Sequence, residues 1–202
     1  MVAIAGLSKK NSEPKIYSLE QYLRREERAV EKNEFYDGKI IELGGGTSTF
    51  CEIAANIGAA LKFATRPLPA KFHVHGSGLK VYVEPLNSSV YPDVFVLCET
   101  PQFWKGRDDL VVNPLLIVEI LSRSQQKKDY RGKFDFYKML PSFKEYVLID
   151  SKKAFVETRF REEEDLWRIK TETKMENVVP LRSLGVSIAM EDIYENIVFA
   201  KN

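Results

Sequence analysis

Glu119 stands in a setting that demands a chemical reason. It lies inside Leu115-Leu116-Ile117-Val118-Glu119-Ile120-Leu121, where every other residue is aliphatic. An unpaired carboxylate in such surroundings carries a heavy desolvation cost. Glu119 must therefore be neutral, paired, bound to a metal, or placed at a strand edge facing a cleft; the plainest alternative is a strand-end residue reaching solvent. Asp93 is the second candidate. It follows Pro92 and opens the apolar run Val94-Phe95-Val96-Leu97-Cys98, a position where proline commonly marks the start of extended chain. Alone, Asp93 can equally close a turn. Together, two carboxylates on neighbouring central strands can chelate one hard divalent ion such as Mg²⁺, which prefers oxygen ligands.

The segment after Glu119 adds charge of the opposite sign. Ser122-Arg123-Ser124 is followed by Lys127, Lys128, Asp129, Arg131, Lys133 and Lys138. From position 123 to 138 there are six basic and two acidic residues. A basic helix beside a carboxylate pair suits a phosphodiester substrate. The alternative is a solvated helix face in which Asp129 and Lys133 form an i,i+4 pair. His73 and His75 lie two apart, on one face of a strand, and two histidines alone do not make a metal site. Trp104, Trp167 and the many Phe and Tyr residues read as packing residues. The sequence has no phosphate-cradling glycine loop, nucleophile elbow or Cys/His zinc pattern.

These residues need elements to hold them. Ser18-Leu19-Glu20-Gln21 has the form of a capping box and starts a helix expected to reach about Glu31. Asp37-Gly38 between short apolar runs predicts a two-residue hairpin, whose turn needs positive φ. Gly44-Gly45-Gly46 breaks the chain, and a second helix over about 49–65 follows from the helical spacing of Ile53, Ile57, Ala60, Leu61 and Ala64. Pro67 and Pro69 end it. Strands are predicted over 80–84, 93–98 and 115–121, the last an apolar run expected at a sheet centre. A third helix over about 126–140 stops at Pro141, and 146–150 is another buried strand. The stretch 154–179 reads as an antiparallel meander with Glu162-Glu163-Glu164-Asp165 at its hairpin tip. This order predicts an α/β fold in which a mixed central sheet is flanked by helices, with an antiparallel C-terminal strand extension.

Composition narrows the class. The chain has 202 residues, 44% of them hydrophobic and 29% charged, the balance of a globular protein. Residues 1–14 read as a flexible N-terminal arm and 15–202 as a single domain. With 30 Lys+Arg against 29 Asp+Glu the net charge is +1, which excludes a binder that is basic over its whole surface but not a local basic patch. Two cysteines, Cys51 and Cys98, give neither a disulfide framework nor metal-site spacing, and a reducing, cytoplasmic setting is the expectation. No apolar run reaches the length of a membrane span.

In order along the chain, Pro92-Asp93, Ile117-Val118-Glu119-Ile120-Leu121-Ser122, Asp129-Tyr130-Arg131-Gly132-Lys133, Tyr137 and Pro141 through Asp150 resemble the Uma-two family, within the PD-(D/E)XK nuclease superfamily. The likeness extends upstream to 17–23 and 34–47 and downstream to 188–194, covering most of 16–195. The resemblance implies a restriction-endonuclease-like fold and metal-dependent hydrolysis of DNA. It assigns Mg²⁺ (or Mn²⁺) to Asp93 and Glu119, and a further carboxylate, drawn from an early helix or its end, to Glu34. The superfamily's lysine two residues past the glutamate is Leu121 here, on the same strand face as Glu119. Lys133 on the following helix takes the matching place, and Lys80 could also reach in. Ser122, Arg123, Ser124, Lys127 and Lys128 are expected to contact the nucleic acid, and a homodimer is expected so that both strands are cut. Two other departures are Phe50, where many members have His, and Gly78, where many have Asp. They leave two rivals open: a catalytically silent nucleic-acid-binding module on the same fold, and a non-enzymatic partner-binding domain with Glu119 salt-bridged in the sheet.

Overall fold

A computed structural model describes residues 15–121 and 129–199, with the side chains of 129–131 outside the description. The expected N-terminal arm therefore lies outside the described residues.

The first helix, α1 (Leu19–Glu26), begins as the sequence predicts. The Ser18 hydroxyl accepts from the Gln21 N–H and the Gln21 side chain accepts from the Ser18 N–H, which closes the capping box. It ends five residues earlier than expected. The Glu26 carboxylate receives the N–H and side-chain amide of Asn33 at 2.9 and 3.0 Å, so the helix end is used to turn the chain back. The hairpin β1 (Asn33–Tyr36) and β2 (Lys39–Glu42) follows. Its turn residues Asp37 and Gly38 have φ of +41° and +91°, as the Asp-Gly pair requires. Then comes α2 (Ser48–Thr65), N-capped by Thr47, whose hydroxyl accepts from the Phe50 N–H.

The central sheet takes shape from β3 (Phe72–Gly76), β6 (Val94–Cys98), β8 (Leu116–Leu121), β9 (Glu145–Asp150), β10 (Val156–Arg161) and β11 (Trp167–Glu172), in the spatial order β11-β10-β9-β8-β6-β3. Within this sheet only β8 and β9 run parallel, so their connection must cross over, and it carries α3 (Asp129–Tyr137). The sheet is thus mixed, and the 154–179 meander is its β10–β11 edge, with residues 162–166 at the tip.

A second, five-stranded sheet was not foreseen. It joins β1 and β2 to β4 (Lys80–Val83), β5 (Ser88–Val90) and β7 (Leu110–Val111), in the order β2-β1-β5-β4-β7. The C-terminal part adds a hairpin of β12 (Val178–Leu181) and β13 (Val186–Ala189), then the short α4 (Met190–Ile193).

The alternation of β8 sorts these layers. Leu116, Val118 and Ile120 face α2, α4 and the C-terminal hairpin, packing with Ile53, Ile57, Leu61, Ile188 and Ile193. Ile117 faces the other way, toward Phe134 and Tyr137 of α3 and Val81, Val83 and Val111 of the second sheet. Leu121 packs on that same side. The outer side of the second sheet is covered by α1, where Tyr22 stacks on Phe35 at 5.2 Å. Glu119, between Ile117 and Leu121, therefore points into the interlayer space beneath α3.

Candidate active site

Strand register brings the two carboxylates together. In the antiparallel β6–β8 pair, Phe95 faces Ile117 and Val94 faces Val118. Asp93 is the residue just before β6, and continuing that register by one step would set it beside Glu119, whose charge acts on the Asp93 carboxyl. Asp93 Oδ2 also accepts from the Ile120 N–H at 2.7 Å, which fixes its carboxyl against β8.

Glu119 is 6% exposed. Its Oε1 accepts from the Tyr137 hydroxyl at 2.7 Å, and its Oε2 lies 3.4 Å from Lys133 Nζ. Lys133 and Tyr137 are one helical turn apart on α3, hence on one face. The same ammonium reaches Glu34 Oε1 at 3.2 Å. Glu34 is 3% exposed and sits on β1, not on a helix as the resemblance implied. Its Oε1 accepts from the Tyr91 N–H at 3.0 Å and its Oε2 from the Tyr36 hydroxyl at 2.5 Å. Tyr36 and Glu34 are two apart on one strand, so their side chains share a face.

Electrostatics follow from crowding. Burial, then the neighbouring Glu119, pushes the Asp93 carboxyl well above the usual carboxylate range, against the Ile120 N–H and Lys133. Burial likewise raises Glu119, opposed by Lys133 and the Tyr137 hydroxyl. Burial works against the Lys133 charge, but the Glu119 and Glu34 carboxylates outweigh it and hold the ammonium firmly protonated. The Tyr137 phenol is held neutral by burial and by Glu119.

Asp93 and Lys133 open onto a cleft of about 400 Å³ also lined by Gly44–Gly46, Phe50, Ser77 and Tyr91. A Cβ at Gly46 would stand 2.6 Å from the Phe50 ring, so only glycine lets that ring lie against the loop. Among the described residues, no three His, Cys, Asp or Glu side chains are grouped so that they could together hold a metal ion, which leaves at most a two-carboxylate site.

The structure thus brings Asp93, Glu119, Lys133 and Glu34 to one place. Lys80 is turned elsewhere: its ammonium pairs with Asp109 at 2.7 Å. Ser122, Arg123, Ser124, Lys127 and Lys128 lie outside the described residues. Tyr36, Tyr91 (through its N–H) and Tyr137 hold the carboxylates; Tyr36 and Tyr137 entered the sequence reading only within the family resemblance and Tyr91 only as a packing residue, and the i,i+4 spacing of Lys133 and Tyr137 was the available signal.

Comparison with known proteins bears on the family and the fold. Residues 19–191 match the Uma2 family, described as "Putative restriction endonuclease". Two uncharacterized proteins of Synechocystis are similar: one is 35% identical over 136 residues, 67% of this chain and 76% of that protein. The other is 30% identical over 186 residues, 92% of this chain and 95% of that protein. Among solved structures, a chain described as a putative nuclease belonging to DUF820 from Anabaena variabilis superposes with a TM-score of 0.72. It is 16% identical, over 90% of this chain and 99% of that one, a likeness of fold.

Proposed function

Because the chain belongs to the Uma2 family of restriction-endonuclease-like proteins, we propose that it is a magnesium-dependent endonuclease that hydrolyses DNA phosphodiester bonds. The observation that supports this reading is that Glu119, Lys133 and Glu34 meet beneath α3 while Asp93 is held against the same strand by the Ile120 N–H. Two carboxylates, Glu34 and Glu119, share the Lys133 ammonium, with the Asp93 carboxyl beside them, so the acids outnumber the one cation and a divalent ion would offset the excess. Magnesium is typically held by one or two carboxylates together with water and substrate phosphate, and this open, oxygen-only donor set fits it; manganese fits for the same reason.

Asp93 and Glu119 would hold the ion. Bound there, it would acidify a water and stabilise charge developing on the phosphate. Tyr137 keeps the Glu119 carboxylate aimed by donating to Oε1, leaving Oε2 toward Lys133. Lys133, charged and at the cleft wall, offers its ammonium to the attacking water or to the phosphate oxygens as negative charge grows. Glu34 holds that ammonium from the other side, and the Tyr91 N–H and Tyr36 hydroxyl hold Glu34. A pair of chains would cut both strands; plasmid linearisation that rises with protein concentration supports that assembly.

Calorimetry with Mn²⁺ on the wild type and Glu119→Ala, beside a plasmid-nicking assay, tests the reading. Metal uptake and nicking should both be lost in the variant. Unchanged metal uptake would remove the site, and equal nicking by both proteins would trace the activity to a contaminant. Leu121, apolar on the face where the superfamily carries lysine, favours a second reading, a silent nucleic-acid-binding module. It requires DNA binding indifferent to Mg²⁺ with no cleavage.

A further inference from the structure

A second groove, away from the carboxylates, lies where the C-terminal end of α2 meets the edge strand β3. It measures about 770 Å³, and its walls include Lys62, Phe63, Arg66, Lys71, Phe72 and His73. Two features set it apart. Phe63 is 80% exposed, off the Ile53-Ile57-Leu61 stripe that α2 buries, so packing does not account for it. Lys62, Arg66 and Lys71 are exposed, and none has an ion-pair partner among the described residues. Glu99 is the nearby acid, and it accepts from the Lys71 backbone N–H at 3.3 Å. Lys62 and Arg66 could serve to complement the negative end of the α2 dipole, but that explains neither Lys71, which is outside the helix, nor the bare phenyl ring.

Strand geometry ties this groove to the cleft. Gly76 faces Val94, next to Asp93, and Phe72 faces Cys98 at the far end of the same pair. Four steps along the strand separate them, about 13 Å, the span of a few nucleotides. Along that path His73 and His75 lie on one face with rings 6.5 Å apart, and His75 stacks on Phe95 at 5.4 Å.

We propose that this groove binds the single-stranded stretch of nucleic acid flanking the cut, with a base stacked on Phe63 and backbone phosphates on Lys62, Arg66 and Lys71. Unpaired bases stack on exposed aromatic rings whatever their sequence, and cations beside the ring track the backbone. The proposal deepens the nuclease reading and rests on it for the identity of the strand, but its readout is binding.

The test is fluorescence anisotropy with a labelled single-stranded 20-mer and a blunt duplex of the same sequence, in EDTA. Phe63→Ala should weaken single-strand binding about tenfold and leave duplex binding unchanged. Replacing Lys62, Arg66 and Lys71 together with Ala should lower the slope of log affinity against log salt by about 2. All four residues are exposed, so the variants should melt like the wild type. Wild-type affinity in either variant overturns the proposal. So does equal dependence of duplex binding on Phe63, or polyglutamate binding the groove as well as the oligonucleotide. Loss of binding in these variants alongside a wild type that never nicks DNA would leave the groove standing and remove the nuclease reading. Nicking that depends on Glu119, with binding indifferent to the groove, would do the reverse.

Discussion

Each acidic residue of the cleft is held by a different kind of donor, which makes single substitutions informative. Glu119→Gln replaces a buried carboxylate, raised by desolvation, with a neutral isostere. It relieves repulsion from Asp93 and Glu34, and Lys133 keeps Glu34. The metal-free variant should therefore melt at or above the wild-type temperature while losing Mn²⁺ uptake; a destabilisation of about 3 kcal/mol, the range for a stranded buried partner, would show that the crowding is not real. Lys133→Met does the opposite, leaving three carboxyl groups with no cation. It should cost about 3–5 kcal/mol in urea unfolding. Tyr137→Phe removes the hydroxyl that donates to Glu119; nicking should slow with KM unchanged and stability should drop by about 1.5–3 kcal/mol. A rate equal to wild type would free Tyr137 of any orienting role. Glu119 was legible in the sequence because six aliphatic neighbours cannot host a carboxylate without a reason. Glu34 was reached only through the family resemblance, because Asn33-Glu34-Phe35-Tyr36 reads as an ordinary half-exposed strand and its cationic partner stands 99 positions away.

Elements carry a second set of expectations. Glu145 at the start of β9 is fully buried and accepts from the N–H groups of Arg182 and Ser183 and from the Ser183 hydroxyl. It thereby joins the central sheet to the turn before β13. Glu145→Ala strands those donors and should cost about 2–3 kcal/mol, read by chemical denaturation. The tie between β4 and β7 is pH-dependent. Arg107, then Lys80, holds the Asp109 carboxyl down at about 2 despite partial burial. A depressed folded-state pKa stabilises above the unfolded value, near 3.9, and that contribution is lost as pH falls through about 2. Asp109→Asn should therefore flatten the stability profile between about pH 4 and pH 2, and an unchanged acid limb would discount the tie. Elements with a strong local signal were readable: the capped α1, the Asp-Gly turn and the apolar β8. The second sheet was hidden because Ser88–Val90 and Leu110–Val111 are too short to show a period. The premature end of α1 was hidden because it depends on Glu26 receiving Asn33.

At the scale of the molecule, the layers run from α2 and α4 through the central sheet to α3 and the second sheet, and then to α1. The mixed-sheet class was legible from the order of elements, since an apolar strand, a helix and another apolar strand in succession imply a parallel crossover. How the remaining strands divided between two sheets was not, because pairing over long separations leaves no local trace. That crossover has a consequence for how such a protein can diverge. The anionic half of the cleft is written into strand pairing, where a one-residue slip would turn every side chain to the opposite face. The donor half, the Lys133 ammonium with the neutral hydroxyl of Tyr137, is written into the phase of one connecting helix. An insertion ahead of that helix would rotate or slide the positive partner without disturbing the negative scaffold, so descendants of this architecture can migrate their lysine while inheriting the acids unchanged.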